Sequence, residues 1–283
     1  MSSTVLSSPA INRVKFRLAG GAQPLLLVPV RVNEQGPFEF ILDTGAGTSL
    51  LTPELAAKLE IKSTGSKQGH TAGGPVNVLL AKVDSLGVGE ARREEIDIAI
   101  TDLSQIGRTV GAKLDGDLGY NFLKHFRLTL DFRAYELKLE DPRRIEHFGP
   151  PAIAEVAMRL AQPSKPLILV EAHVAGRGPF HFAVDTGTST TAISPELARE
   201  LNLKVRPIGA VTTGGAKIAM TATRLPSIRI ASAEQQEIDV IVGEFLGMLS
   251  EVAGSRLDGI VGYNFLRKYK VVIDYPNELF RLE

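Results

Sequence analysis

The chain contains no cysteine, and this absence narrows the chemistry that the protein can carry out. Disulfide bonds, thiolate metal sites and a cysteine nucleophile are all excluded. Cytosolic and secreted proteins can both lack cysteine, so the compartment is left open. Any catalysis must therefore rest on other side chains.

An excess of either charge is also missing, since Lys plus Arg and Asp plus Glu number 32 each. A balanced charge argues against a nucleic-acid partner and against an anionic membrane surface. No apolar run approaches the roughly 18 residues of a membrane span. The N-terminal residues lack the basic start and apolar core of a secretory signal. We therefore expect no membrane span, and a location that is cytoplasmic or, if a signal was removed, periplasmic or secreted.

Patterns typical of metal and phosphate sites are absent as well. The histidines show no metal-ligand spacing, and none recurs at equivalent positions of the two halves of the chain. They are His70, His125, His147, His173 and His181. The glycine-rich stretches do not match the phosphate-binding loop pattern. The sequence predicts neither a metal nor another cofactor.

What the sequence does contain is a long internal repeat. Asp-Thr-Gly at residues 43–45 recurs at residues 185–187, each time after an apolar run that opens with Gly-Pro-Phe. Residues 36–62 align without a gap to residues 178–204, with 14 of 27 positions identical. One such tripeptide is a weak signal, but two in equivalent places indicate two carboxylates brought together across a pseudo-twofold axis.

The repeat extends over almost the whole chain. It predicts two domains, residues 10–141 and 152–283, joined by a segment rich in proline and charge at residues 141–151. Each is close to the usual domain size of about 100–150 residues. Two copies are too few for a solenoid, which needs about three or more repeats. Two domains facing each other are therefore expected.

Each half begins with strand patterns and continues with a short helix. The strands are predicted at residues 24–32 and 38–42, and at residues 166–174 and 180–184.

Helix starts are marked by Thr52 and Ser194 as N-caps, each followed by proline at the first helical position. Further helices are predicted near residues 120–125 and 263–269, followed in each half by a hairpin.

This order of strand, Asp-Thr-Gly loop, Gly-rich hairpin, Asp-Gly-x-x-Gly segment and helix resembles the retropepsin-like aspartic proteases, including bacterial members with two lobes in one chain. The resemblance covers nearly the whole chain beyond residue 10, twice. It implies a mainly β fold of two similar β-barrel lobes related by a pseudo-twofold axis, each with one or two short helices. It also implies a monomer, formed by pairing of the two lobes, that hydrolyses a peptide or protein substrate.

The resemblance implies Asp43 and Asp185 as the catalytic pair. One carboxylate acts as a general base on water while the other, protonated, polarises the scissile carbonyl. Two carboxylates about 3 Å apart cannot both stay ionised and so share a proton. The residues implied to support the two loops are Thr44, Gly45, Thr186, Gly187 and Thr188.

The residue that follows Asp-Thr-Gly differs between the halves. In pepsin-like enzymes it is often Ser or Thr, whose hydroxyl favours the charged form of the neighbouring carboxylate. The second half has Thr188 at this place and the first half has Ala46. We therefore expect Asp185 to ionise more readily and Asp43 to carry the shared proton.

The family pattern also implies a second loop that crosses the Asp-Thr-Gly loop. Residues 117–119 and 260–262 take this place, and the first copy departs from the apolar-apolar-Gly pattern at Asp117. Asp115 and Asp258 are interpreted as turn residues rather than ligands. The family analogy also suggests one flap per lobe, with tips at Ala72, Gly73, Gly74, Thr213, Gly214 and Gly215.

Two alternatives to the monomeric peptidase stay open. A peptide-binding or scaffolding module could keep the same fold without turnover, although retention of both Asp-Thr-Gly loops favours the enzyme. In the second alternative, the two halves of one chain do not face each other, and active sites form between two chains instead. The identity of the substrate lies beyond the sequence.

Overall fold

The chain is described by a computed structural model that covers residues 12–71, 74–141, 151–163, 165–213 and 216–283. Within these ranges, strands predominate in both halves and the helices are short. Part of the segment that joins the halves, residues 142–150, lies outside the described residues. In the described part of the chain, no helix has the length and apolar character needed to cross a membrane.

The described part of the first half contains eleven strands and three helices. In chain order they are β1 (Asn12–Lys15), β2 (Arg17–Ala19), β3 (Leu25–Val32), β4 (Gln35–Leu42), β5 (Leu50–Leu51), α1 (Pro53–Lys58), β6 (Gly65–Thr71), β7 (Gly74–Val88), β8 (Ala91–Ile100), α2 (Ser104–Val110), β9 (Gly116–Leu118), α3 (Tyr120–Leu123), β10 (Arg127–Asp131) and β11 (Glu136–Glu140).

The second half repeats this series over its described residues. Its elements are β12 (Ala154–Ala157), β13 (Arg159–Gln162), β14 (Lys165–Val174), β15 (Arg177–Val184), β16 (Ala192–Ile193), α4 (Pro195–Glu200), β17 (Arg206–Thr213), β18 (Ala216–Ile230), β19 (Ala233–Val242), α5 (Phe245–Ala253), β20 (Gly259–Val261), α6 (Tyr263–Leu266), β21 (Lys270–Asp274) and β22 (Leu279–Leu282).

Each half forms an eight-stranded sheet, and the strand order is the same in both. The orders are β2-β3-β4-β9-β5-β8-β7-β6 and β13-β14-β15-β20-β16-β19-β18-β17. An additional pairing, of β3 with β7 and of β14 with β18, folds each sheet back on itself. The predicted fold, two similar and mainly β lobes, is confirmed.

A third sheet joins the two lobes. It has six strands in the order β1-β11-β10-β21-β22-β12, so that each lobe contributes three adjacent strands. At its centre β10 and β21 pair antiparallel, with Leu128 opposite Ile273 and Leu130 opposite Val271. All four side chains are fully buried. The apolar core is therefore continuous from one lobe to the other through this sheet.

The strands that lead to the Asp-Thr-Gly loops are buried in the same way in the two lobes. In both β4 and β15 the first three residues are exposed and the last three are buried. Leu42 and Val184, the last residues of these strands, are completely inaccessible to solvent. Burial of apolar side chains on both sides of a short strand holds its end rigidly. The residue that follows each strand therefore starts from a fixed position.

The predicted N-caps act as expected. Thr52 Oγ1 accepts a hydrogen bond from the backbone N–H of Leu55 at 3.3 Å, and Ser194 Oγ accepts from Leu197 at 3.0 Å. Both caps satisfy an N–H that the first helical turn leaves without an intrahelical partner. Helices α1 and α4 thus begin where the Ser/Thr-Pro signal predicts.

Each lobe has three helices among its described residues, one more than we predicted. The additional helices are α2 and α5, which end at Gly111 and Gly254 in the left-handed conformation, with φ of 64° and 60°. Glycine adopts this conformation without steric cost and commonly ends helices. With only seven and nine residues, these helices leave little room for an apolar stripe to show in the sequence.

Candidate active site

The two Asp-Thr-Gly loops begin at equivalent positions of the two lobes. The backbone N–H of Asp43 donates to Leu118 O at 3.1 Å, and that of Asp185 donates to Val261 O at 3.0 Å. Leu118 and Val261 are the last residues of β9 and β20, and these strands run parallel to β4 and β15. The second loop therefore lies directly beside the first in both lobes.

Each aspartate carboxyl group lies against the glycine of the opposite loop. A methyl group built on Gly45 would lie 2.6 Å from Asp185 Oδ2, and one built on Gly187 would lie 2.5 Å from Asp43 Cγ. Such distances leave no room for any side chain. The two loops thus meet face to face, and both positions require glycine because the other lobe's carboxyl group fills the space.

Hydrogen bonds between Thr44 and Thr186 lock the two loops together. The N–H of Thr44 donates to Thr186 Oγ1 at 3.1 Å, and the N–H of Thr186 donates to Thr44 Oγ1 at 3.0 Å. Each hydroxyl then donates to a strand-end carbonyl of the opposite lobe, Val184 O at 3.1 Å and Leu42 O at 2.7 Å. Both threonines are buried at 1% exposure, so water does not compete for these bonds.

The donors around the two carboxylates are not the same. Asp43 Oδ1 accepts two backbone N–H groups, from Gly45 at 2.7 Å and from Ala46 at 3.1 Å. Asp185 Oδ1 accepts the N–H of Gly187 at 2.8 Å, while its Oδ2 accepts the hydroxyl of Thr188 at 3.0 Å. The pseudo-twofold symmetry of the backbone is therefore broken at the charged groups themselves.

The environment of Asp185 raises its pKa to about 7. Burial is the largest cause, followed by the charge of Asp43, and a hydrogen bond with Asp43 acts in the same direction. The Thr188 hydroxyl and the Gly187 N–H oppose the rise by favouring the charged form. Asp185 therefore keeps a proton up to neutral pH.

This result corrects our expectation about which aspartate ionises more readily. The Thr188 hydroxyl does donate to Asp185, as the sequence predicts, but burial and the neighbouring carboxylate outweigh it. The direction of the change at Asp185 is thus a raised pKa. The physical reason is that a single neutral donor compensates only part of the cost of burying a charge.

Each lobe contains an equivalent set of buried hydrogen bonds that joins the chain after the Asp-Thr-Gly loop to the second loop. We did not predict these bonds. In the first lobe Asn121 Oδ1 accepts the N–H and the hydroxyl of Ser49, each at 2.8 Å, and Ser49 Oγ accepts the N–H of Gly119 at 3.0 Å. Thr191 and Asn264 make the same contacts in the second lobe. Recurrence of these polar residues in both halves was the signal in the sequence.

The aspartates near the second loops have structural positions. Asp115 Oδ2 accepts the N–H of Glu39 at 3.0 Å, and Asp258 Oδ2 accepts the N–H of His181 at 2.9 Å. Both contacts fix the start of the second loop to the strand beside it, in line with the turn interpretation. Asp117, where the first lobe departs from the family pattern, is buried in β9.

The Gly-rich segments expected as flap tips join long hairpins. Strands β6 and β7 pair up to Thr71 and Gly74, and strands β17 and β18 pair up to Thr213 and Ala216. Of the six expected tip residues, Gly74 and Thr213 belong to these strands. Ala72, Gly73, Gly214 and Gly215 lie outside the described residues.

Two lobes of one topology, each placing an Asp-Thr-Gly loop against its counterpart, define a two-lobed acid protease fold. The comparison with known families agrees with this class. The sequence model of the aspartyl protease family matches the chain twice, at residues 28–122 and at residues 170–265. The chain therefore belongs to the aspartyl protease family, as a tandem, two-lobe member of the retropepsin-like type. No curated protein gives a significant match to it.

Proposed function

We propose that the protein is an aspartic endopeptidase with one active site between its lobes, residues 10–141 and 152–283. The observation that carries this proposal is the apposition of Asp43 and Asp185, each carboxyl group lying against the glycine of the other loop. A protonated and an ionised carboxyl group side by side supply the acid and the base that peptide hydrolysis needs. Both groups come from one chain, so a monomer suffices.

The different donor sets assign a role to each aspartate. Asp43, which accepts two backbone N–H groups, is the ionised partner and removes a proton from the attacking water. Asp185, whose pKa is raised to about 7, holds the proton that is donated to the scissile carbonyl oxygen. The water oxygen bonds to the carbonyl carbon, and the resulting gem-diol returns its proton to Asp185. The C–N bond then breaks as the proton on Asp43 passes to the leaving nitrogen.

The loop residues hold this pair in register. Thr44 and Thr186 join the lobes through buried hydrogen bonds, and Gly45 and Gly187 permit the close approach. The hydroxyl of Thr188 donates to Asp185 and lowers its pKa, which opposes part of the rise. Preorganised groups of this kind need no rearrangement during the reaction, which is a main source of catalytic rate.

The two long hairpins are proposed to hold an extended peptide. A peptide strand that adds to the backbone of a hairpin gains main-chain hydrogen bonds with little dependence on sequence. The residues expected at the flap tips are proposed to pair with this peptide through their backbone; they are Ala72, Gly73, Gly74, Thr213, Gly214 and Gly215.

The test is cleavage of a diverse peptide library, read by mass spectrometry. Asp43→Asn and Asp185→Asn should each lower turnover at least about 100-fold, since neither carboxyl group supplies both acid and base. The double variant should be hardly worse than either single one, because the pair acts as a unit. Asp84→Asn is the matched control, because Asp84 is exposed and lies in the part of β7 beyond its pairing with β6. This variant should keep full activity.

An Asn variant that retains more than about a tenth of the turnover contradicts the two-carboxylate mechanism. Absence of cleavage together with peptide binding, unchanged in both Asn variants, would instead identify a peptide-binding module.

A further inference from the structure

Two aromatic pairs cross between the lobes beside the active-site loops. In one, Tyr120 of the first lobe packs edge-on against Tyr275 of the second, with ring centroids 5.5 Å apart. In the other, Tyr263 of the second lobe packs edge-on against Phe132 of the first, at 5.6 Å. The two pairs are related by the pseudo-twofold axis, since Phe132 and Tyr275 each follow the last residue of a central strand in the sheet that joins the lobes.

Each pair is bonded to an active-site loop. The N–H of Tyr120 donates to Ala46 O at 2.8 Å, and the N–H of Tyr263 donates to Thr188 O at 2.8 Å. Ala46 in turn donates its own N–H to Asp43 Oδ1. The Tyr120–Tyr275 pair therefore belongs to the loop of Asp43, and the Tyr263–Phe132 pair belongs to the loop of Asp185.

One hydroxyl distinguishes the two pairs. Phe132 has none, whereas the Tyr275 hydroxyl is buried and makes no hydrogen bond to any residue of the described chain. Tyr275 as a whole is 4% exposed. A buried hydroxyl without a protein partner is costly and needs an explanation. Phe132 occupies the matching place in the other pair and has no hydroxyl. Packing of the ring therefore does not by itself explain the hydroxyl of Tyr275.

Through Tyr120, the ring of Tyr275 packs beside the loop of Asp43, and its hydroxyl lies within reach of the charges of both aspartates. Burial raises the pKa of Tyr275 above its ordinary value, and the charge of Asp43 is the next cause, before Tyr120 and Asp185. The phenol is therefore a neutral hydrogen-bond donor at any working pH. The charge of Glu278 acts on Tyr120, and the ammonium group of Lys124 lies 5.7 Å from the centre of the Tyr120 ring.

We propose that the Tyr275 hydroxyl is a positioning group for the carboxylate of Asp43, donating towards it through a bridging water. This role rests on the proposed peptidase function. It supplies the Asp43 side with a hydroxyl that Ala46 lacks, while Thr188 supplies one directly to Asp185. Water bridges between buried polar groups are nearly as favourable as direct hydrogen bonds.

The direction of the effect follows from the donor character of the phenol. A donor stabilises the charged form of Asp43 and so lowers the pH at which the pair first loses a proton. Tyr275→Phe, which recreates the residue present at position 132, should raise the acid limb of the pH–kcat/KM profile by about 0.5–1 pH unit. The alkaline limb, which reports the loss of the second proton, should move less.

Two further variants separate this role from packing. Ala46→Ser in the Tyr275→Phe background places a hydroxyl on the first loop, as Thr188 does on the second, and should return the acid limb towards its original position. Tyr269→Phe removes a partly buried phenol in the second lobe, bonded to Glu234 O at 3.2 Å, and should leave both limbs in place. An acid limb that Tyr275→Phe does not shift overturns the proposal.

A measurement without substrate keeps the proposal separate from the peptidase function. In protein labelled with ¹³C at aspartate carboxyl groups, the first titration step of the pair, assigned with Asp43→Asn, should occur at higher pH in Tyr275→Phe. If the wild-type chain cleaves no peptide but this shift is present, the peptidase function is contradicted and the action of Tyr275 on Asp43 is supported. If the titration is unchanged, Tyr275 does not act on Asp43, whatever the activity.

Discussion

Thr44 and Thr186 each donate a backbone N–H to the hydroxyl of the other, across the boundary between the lobes, at 3.1 and 3.0 Å. The arrangement is reciprocal, so removal of either hydroxyl leaves a buried N–H of the opposite loop without its acceptor. The stability of the lobe interface and the geometry of the active site therefore depend on the same bonds.

Thr186→Val should lower the free energy of unfolding by about 1–3 kcal/mol, the usual cost of leaving a buried donor without a partner. It should also reduce kcat more than it raises KM, since the loops hold the catalytic pair rather than the peptide. Chemical denaturation and steady-state kinetics measure the two effects. Thr186→Ser keeps the hydroxyl and serves as the control; equal losses in both variants would contradict the role of the bond.

Gly187→Ala should abolish activity because its methyl group would lie 2.5 Å from Asp43 Cγ. We expect a fall in kcat/KM of at least about 100-fold, as for other displacements of catalytic groups by about 1 Å. Gly247→Ala is the matched control, since no atom lies within 4 Å of the added methyl group in α5. It should keep activity and raise stability by up to about 1 kcal/mol. Near-normal turnover in Gly187→Ala would show that the two loops are further apart in solution.

The raised pKa of Asp185 predicts that the protein loses stability as the pH rises. The folded state holds this proton up to about pH 7, whereas the unfolded chain releases it near 3.8. The folded state thus binds more protons between these values, and the stabilising contribution, complete below pH 3.8, is lost as the pH rises through 7.

Asp185→Asn should therefore unfold at a higher temperature than the wild type at pH 8 and at nearly the same temperature at pH 4. We expect a gain of about 1–2 kcal/mol at pH 8, below the full linkage value because the two carboxyl groups share the proton and titrate as a pair. Asp84→Asn should show no such dependence. A larger gain at pH 4 than at pH 8 would reverse the sign and exclude a raised pKa.

The alkaline limb of the pH–rate profile should lie near pH 7, where Asp185 loses its proton. Because the Thr188 hydroxyl lowers this pKa, Thr188→Val should move the alkaline limb upward by about 0.5–1 pH unit, while Thr188→Ser should leave it in place. Profiles of kcat/KM across pH 3–9 measure the shift. Ala46→Ser, by contrast, should move the acid limb downward, since its hydroxyl would favour the charged form of Asp43.

Much of the fold and the apposition of the two Asp-Thr-Gly loops follow from the repeat alone. Identical tripeptides after equivalent apolar runs predict two lobes with Asp43 and Asp185 face to face, and the Ser/Thr-Pro signals place the starts of α1 and α4. Local rules suffice here because each feature depends on neighbouring residues. The six-stranded sheet is different: its central strands come from opposite halves, and no local pattern specifies a partner so far along the chain.

The sequence likewise does not define how the shared proton is held between the two aspartates. The difference between Thr188 and Ala46 predicts that the two aspartates differ in pKa. Which pKa is higher depends on burial and on the distance between the carboxyl groups, and only the folded chain defines these. Tyr275 gives no signal in the sequence for the same reason, since only the fold shows that its hydroxyl is buried without a hydrogen-bond partner among the described residues.

The pairing of unlike residues across the pseudo-twofold axis has a consequence for how such a site evolves. In a homodimer, one codon governs both sides, so every substitution near the axis appears twice. Here Ala46 and Thr188, or Phe132 and Tyr275, are inherited separately although they occupy matching places. Each carboxylate can therefore acquire its own surroundings. Under the proposed mechanism, the acid and the base are fixed to particular residues of this chain, whereas in a homodimer the two roles are interchangeable.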